Sequence, residues 1–132
     1  MKFVHLHTHS HFSLLDGLAK IDGLVSKAIE YEMPALALTD HGNLYGAIEF
    51  YKKARKAGIK PILGVEAYVA SRSRFDKQPG IDERRFHLTL LAISNKGWRN
   101  LIQLVTKSYL EGFYYKPRVD KELLREHKEG LI

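Results

Sequence analysis

Residues 34–70 read PALALTDHGNLYGAIEFYKKARKAGIKPILGVEAYVA, and their pattern decides the fold class. PALALTD at 34–40 is a short apolar run opened by Pro34 and closed by polar residues, the pattern of a buried strand. Asn43 is placed to cap a helix in which Leu44, Ala47, Ile48, Tyr51 and Ala54 recur at i, i+3, i+4 and i+7 spacing. Gly58 stops that helix, and KPILGVEAYVA at 60–70 reads as a further strand. A strand, a helix and a strand in succession make a βαβ unit, whose strands lie parallel in one sheet.

The same alternation runs outward in both directions. Upstream, FVHLH at 3–7 reads as a short strand, and IDGLVSKAIEYE at 21–32 as a helix with Leu24, Val25, Ala28 and Ile29 on one side. Downstream, SRSRFDKQPGIDERR at 71–85 is polar and carries Pro79-Gly80, which predicts a mobile loop. FHLTLLAI at 86–93 is a fourth strand, and Trp98, Leu101, Ile102, Val105 and Tyr109 mark one face of a third helix. Residues 112–119 then cross to a short helix capped by Asp120, and EGLI at the end looks like the entry to a fifth strand. This order predicts an α/β fold on a parallel sheet, doubly wound or closed into a barrel. No break in composition marks a second domain. A chain that stops inside a strand signal is expected to be part of something longer.

The 132 residues suffice for one domain with a real core, and 45% hydrophobic with 27% charged residues is a globular composition. No apolar run approaches the ~20 residues of a membrane span, and the histidines of MKFVHLH interrupt any signal-peptide core. The chain has no cysteine, which excludes disulfides and thiolate zinc sites and makes the cytoplasm the default location. The net charge of +6 favours polyanionic partners, but its densest stretch, KKARKAGIK at 52–60, reads as the solvated face of a helix.

In parallel α/β folds chemistry gathers at the carboxyl ends of the strands. There this sequence places His5, His7 and His9, then Asp16; Thr39-Asp40-His41-Gly42; Glu66 inside an otherwise apolar strand; and His87 in the fourth. One such residue is ordinarily structural. One from each of four successive strands points to a metal site. Imidazole and carboxylate without thiolate suit Zn, Mn or Fe. A carboxylate such as Glu66 can bridge two ions, and clustered ions of this kind serve phosphoester hydrolysis. His87 lies early in its strand, below the expected mouth, so position alone leaves it open between ligand and structural residue.

The ordered series resembles a known family. HTHSHFS at 7–13 fits the H-x-H-x-x-x-S first motif of the PHP (polymerase and histidinol phosphatase) superfamily, and TDHG at 39–42 its second. The 3–20, 33–69 and 86–92 stretches, with YLEGFYYKPRVDKELLREHKEGLI, are similar to the N-terminal PHP domains of bacterial DNA polymerase III alpha subunits, and only the 71–85 loop falls outside the likeness. The resemblance implies the N-terminal part of a distorted seven-stranded β/α barrel, residues 1–132 ending before the remaining strands and the polymerase core. It implies a cluster of up to three divalent ions, Zn, Mn or Fe, on His7, His9, Asp16, His41, Glu66 and His87. His7, His9 and Glu66 would hold one ion and carry the catalysis, Glu66 and His87 a second, and Asp16 and His41 a third. Asp40 is expected to orient a neighbouring ligand. His5 is read as a hydrogen-bonded residue beneath the site, and His11 as an exposed bystander. Ser13 and Asn43 need be only turn and cap residues, while Lys116 and Arg118 are left open between packing and phosphate contact.

On this resemblance the parent is a DNA-directed DNA polymerase, a nucleotidyltransferase of DNA replication. Its partners are DNA and the other replisome subunits, with no membrane. The PHP part is a metal-dependent phosphoesterase, a 3′–5′ exonuclease or a pyrophosphatase. The isolated fragment, without palm carboxylates or later ligands, is expected to be inactive, weakly metallated and prone to self-association through an open sheet edge. Two alternatives remain at this point: a free-standing PHP phosphatase acting on a small phosphate ester, and a non-catalytic scaffold of the polymerase.

Overall fold

The computed structural model describes residues 3–132. Eight elements follow one another: α1 (Ile21–Glu30), β1 (Ala35–Leu38), α2 (Ala47–Lys56), β2 (Lys60–Ala70), β3 (Arg85–Leu91), α3 (Asn95–Leu110), β4 (Arg118–Val119) and α4 (Lys121–Glu126). The mixed α/β architecture is the expected one. Its sheet is organised on β2, an 11-residue strand whose neighbours change along its length. Residues 60–63 pair in parallel with β1, residues 64–70 pair antiparallel with β3, and Tyr68 and Val69 pair in parallel with β4. The last parallel contact of the β1 chain on β2 is a bridge from His41 to Glu66.

The antiparallel β3 corrects the expectation of an all-parallel sheet. A parallel return needs a crossover of a dozen or more residues, usually a helix. The 71–84 segment between β2 and β3 carries no helix, so the chain folds back as a hairpin. The segment is also tied down: Arg72 pairs with Asp82, Arg74 with Asp120 and Glu111, and the Arg118 guanidinium donates to the carbonyls of Arg74, Asp76, Asp82 and Gly112. Burial pushes the Arg118 guanidinium below its usual value, and four carbonyl partners stand in for the lost water.

FVHLH is not a regular strand. It runs beside β1 with two backbone bonds, Ala37 N–H to His5 O and Thr39 N–H to Thr8 O. Three steps on one side match two on the other, so an extra residue lies between His5 and Thr8 and strict alternation fails there. Asn43 does not open α2, which starts at Ala47. Its carboxamide instead accepts from Tyr45 N–H and donates to the carbonyls of Phe12 and His41, closing a turn. Gly42, at φ +60, makes that turn; a side chain there would meet Pro117 at 2.9 Å.

Two apolar clusters hold the sheet. Ile21, Val25, Ala28, Leu36, Leu38 and Phe50 join α1, α2 and β1; Val65, Ala67, Leu90, Leu101, Leu104 and Leu123 join β2, β3, α3 and α4. Fully buried Phe50, Ile21, Leu101 and Leu104 each contribute on the order of 1.5–3 kcal/mol. Because β2 alternates, Val65, Ala67 and Val69 enter the second cluster and Glu66 and Tyr68 face the other way. At the helix starts Ser94 accepts from Gly97 N–H and Asp120 from Leu123 N–H, so the expected cap at Asp120 is present. The final residues pair with β3: Leu131 bridges Ala92, and Leu91 and Ile132 exchange backbone hydrogen bonds.

Candidate metal centre

The polar face of β2 carries Glu66, and four imidazoles converge on it. Glu66 Oε2 lies 2.6 Å from His7 Nε2, 2.7 Å from His9 Nε2 and 3.5 Å from His41 Nδ1, while Oε1 contacts His87 Nδ1. Asp16 Oδ2 reaches His41 Nε2 at 2.7 Å from the far side. Burial raises the Glu66 carboxyl, but the hydrogen bonds from His7 and His87 and the fields of His41 and His7 outweigh it and bring it down to about 2. Its carboxylate is therefore available as a ligand at any working pH.

Three donor sets result, each with all ligand atoms within 4.8 Å: His7, His9 and Glu66; His9, Asp16 and His41; and His41, Glu66 and His87. All six residues expected as ligands fall in these sets. His9 and His41 are each shared by two, which the motif spacing alone did not indicate. The antiparallel hairpin explains His87. Its register partner is Tyr68, two residues beyond Glu66, so the start of β3 lies at the same end of the sheet as the end of β2.

The residues behind the ligands set their tautomers. Asp40 is buried and accepts from Ser10 N–H at 2.6 Å, Ser10 Oγ–H at 2.8 Å and Ser13 Oγ–H at 2.7 Å. Ser13 has one proton and gives it to Asp40, so its lone pairs take His41 N–H and His9 Nδ1–H, at 3.0 and 2.8 Å. With Nδ1 protonated, the His9 Nε2 lone pair points at a carboxylate oxygen and at His7 Nε2, 3.1 Å away. The His9 Nε2 lone pair and Glu66 Oε2, 2.7 Å apart, are acceptors facing one another, which calls for a cation between them. His41 Nδ1 is likewise buried with no hydrogen-bond partner. Nitrogen and oxygen donors so arranged fit a divalent ion of the Zn, Mn or Fe type.

Several residues sit elsewhere than expected. His5 is exposed, its ring edge-on to Phe3, and its ring makes no hydrogen bond among the described residues; the extra residue before Thr8 turns it off the ligand face. His11 is half-buried against Phe12 rather than exposed. Ser13 is more than a turn residue, since it links Asp40 to His9. Arg118 is a packing residue, whereas Lys116 stands at the site, its Nζ 5.8 Å from the Tyr68 ring centre. Two participants escaped sequence reasoning. Ser10 is fully buried on Asp40, and Tyr68 stacks on His41 at 5.6 Å and meets His87 edge-on at 5.0 Å. Tyr68 was findable: it is two residues after Glu66 and so on the same strand face. The Arg85 guanidinium also lies over its ring, 5.7 Å from the centre.

The chain is 59% identical over its whole length to a DNA polymerase III subunit alpha of Thermus aquaticus, covering 11% of that protein. It is 57% identical to the one of Borreliella burgdorferi and 53% to the one of Aquifex aeolicus, over 99% and 98% of the chain and 12% of each relative. The chain thus spans about an eighth or less of the length of these relatives. Among solved structures it superposes on a protein described as a metal-dependent phosphoesterase from Bifidobacterium adolescentis, with TM-score 0.55 at 18% identity, over 81% of this chain and 32% of that one. An amidohydrolase from Chromobacterium violaceum, solved with sulfate and no metal, gives TM-score 0.56 at 26% identity, over 79% of this chain and 32% of that one. Both are likenesses to part of a larger fold, as expected for a portion of a barrel. The PHP domain family model matches residues 5–132, nearly the entire chain, and the chain belongs to that family.

Proposed function

We propose that this chain is the metal-binding part of a phosphoesterase site in a bacterial DNA polymerase III alpha subunit, acting on the 3′ end of DNA. The observation that carries the reading is the Glu66 carboxylate with four histidines converged on it. Its chemistry is reinforced by His41 Nδ1, buried with no hydrogen-bond partner among the described residues, and by His9 Nε2, whose lone pair faces Glu66 Oε2 at 2.7 Å. His7, His9 and Glu66 would hold one divalent ion, His41, Glu66 and His87 a second, and His9, Asp16 and His41 a third. Bound there, such ions supply Lewis-acid polarisation of the phosphate and a lowered pKa for a coordinated water.

The chain's own residues do the rest. Asp40, through Ser13, holds His9 with Nδ1 protonated and Nε2 free to bind. Tyr68 braces the rings of His41 and His87. Lys116 and Arg85, each within 6 Å of the Tyr68 ring centre, would set positive charge toward the non-bridging oxygens of a bound phosphate. Pyrophosphate is the second candidate substrate, for it offers the same oxygens. A free-standing phosphatase for small esters is disfavoured by the end-to-end identity of 53–59% with polymerase subunits. On this reading polymerisation, the replisome partners and the cytoplasmic setting belong to the longer protein.

The test is release of nucleotides from a DNA 3′ end by that longer protein in Mn or Zn, beside its Asp16→Ala and Glu66→Ala variants. Release lost in both supports the site. Equal release by wild type and both variants rules it out.

A further inference from the structure

Beside the metal centre is a second cavity of about 250 Å³, and His41 and Tyr68 line both. Its other walls are strongly aromatic. Tyr109 and Phe113 stack at 6.2 Å with a 29° tilt, the Tyr45 and Tyr109 hydroxyls meet at 3.5 Å, and Tyr115 stands at the rim. Tyr45, Phe113 and Tyr115 are 63%, 48% and 65% exposed, so three large rings face solvent around one hollow. Packing does not require this. Tyr115 is moreover held at φ +58, a left-handed conformation unfavourable to an aromatic residue, and the bridge between Tyr114 and Lys116 keeps it there. Lys116 lines the same cavity and carries its charge to the Tyr68 ring, at the boundary with the metal centre.

Exposed flat rings around a hollow, next to a cation and a phosphate-processing centre, match a ligand with a π-face joined to a phosphate. We propose that this cavity is a nucleobase subsite. In it Tyr45, Phe113 and Tyr115 stack the terminal base of a single strand while Lys116 and the His41 side of the metal centre receive its phosphate. The inference rests on the phosphoesterase reading and adds to it what that reading lacks, a reason for a nucleotide rather than any phosphate ester. Stacking is indifferent to base identity, so the subsite accepts all four bases with small differences.

The experiment compares two phosphates that differ in the base. Thymidine 5′-monophosphate and ribose 5-phosphate are titrated calorimetrically into the Zn-loaded chain and into its Tyr45→Ala and Phe113→Ala variants. Thymidine alone is followed by the ring resonances of the wild type. One stacked base contributes roughly tenfold or more in affinity. The expected result is that the thymidine phosphate binds at least tenfold tighter than the sugar phosphate, and that each variant loses this advantage while binding ribose 5-phosphate unchanged. Thymidine shifts in Tyr and Phe rings are expected even without its phosphate. Equal affinity for the two phosphates in the wild type, with no ring shifts from thymidine, overturns the subsite and leaves the metal centre standing. Ring shifts from thymidine with no binding of either phosphate keep the subsite and overturn the phosphoesterase reading.

Discussion

Replacing Asp40 is the sharpest probe of how the fold builds its site. The carboxylate is 2% exposed and accepts three hydrogen bonds, two from Ser10 and one from Ser13. Hydrogen bonds to a charged group are each worth about 1.5–3 kcal/mol. The three share one acceptor and one turn, so they do not add, and Asp40→Ala is expected to cost about 3–5 kcal/mol. Asp40→Asn keeps one acceptor oxygen and sets an amide against hydroxyls that already accept other donors, Phe12 N–H on Ser10 and His41 N–H on Ser13. Its cost is lower, about 1–2 kcal/mol. Urea unfolding followed by circular dichroism should therefore rank wild type above Asn above Ala. A metal titration of the folded Asn variant should show a fall of about 10–100-fold in affinity, because Ser13 no longer anchors His9 Nδ1. An Ala variant within about 0.5 kcal/mol of wild type would refute the reasoning outright. Full metal affinity in the Asn variant would refute the part that runs through Ser13.

Three other outcomes follow from the packing. Arg118→Met should destabilise by about 3 kcal/mol or more by removing the side-chain donors to four carbonyls, those of Arg74 and Asp82 being left buried and unpaired, and limited proteolysis should then cut within 71–84; Arg118→Lys should not rescue it. Gly97→Ala should destabilise by about 2 kcal/mol or more in thermal melts although alanine favours helices by ~1 kcal/mol, because its Cβ would lie 1.8 Å from the Gly130 carbonyl oxygen. The ion pair with Arg72 holds Asp82 at about 2, and hydrogen bonds from Arg74 and Leu123 hold Asp120 below the usual range against the upward push of burial. Depressed folded-state values mean stability that is complete above the unfolded carboxyl range, ~4, and lost as the pH falls toward about 2. Hydrogen exchange in the 71–84 segment should accelerate across that window, and Arg72→Ala should weaken the pH dependence.

The central βαβ unit was legible because both of its strands are apolar runs bounded by turn residues and its helix keeps a clear period. KPILGVEAYVA proved to be β2 residue for residue, and α3 and α4 lie where their apolar faces and the Asp120 cap indicated. The strand direction of β3 was hidden because alternating apolar residues look the same whichever way a strand runs. The missing helix in 71–85 was the available clue, and with it His87 would have been placed at the mouth from the start. FVHLH misled through its alternation: period-2 spacing is a strand signal only if the neighbour keeps step, and the extra residue between His5 and Thr8 is a property of pairing, not of the segment itself. Ser10 and Tyr68 carried no motif signal and acquired their place only through the turn on Asp40 and the face of β2.

The property of the Glu66 cluster that decides its role is whether it holds divalent metal. Calorimetric titration of Zn and of Mn into the chain and into Glu66→Gln, which preserves shape and removes the charge, addresses it directly. Saturable binding by the wild type, weakened at least about tenfold in Glu66→Gln with the fold retained, is the predicted result. Identical isotherms for the two chains, or no saturable binding by the wild type, would contradict it.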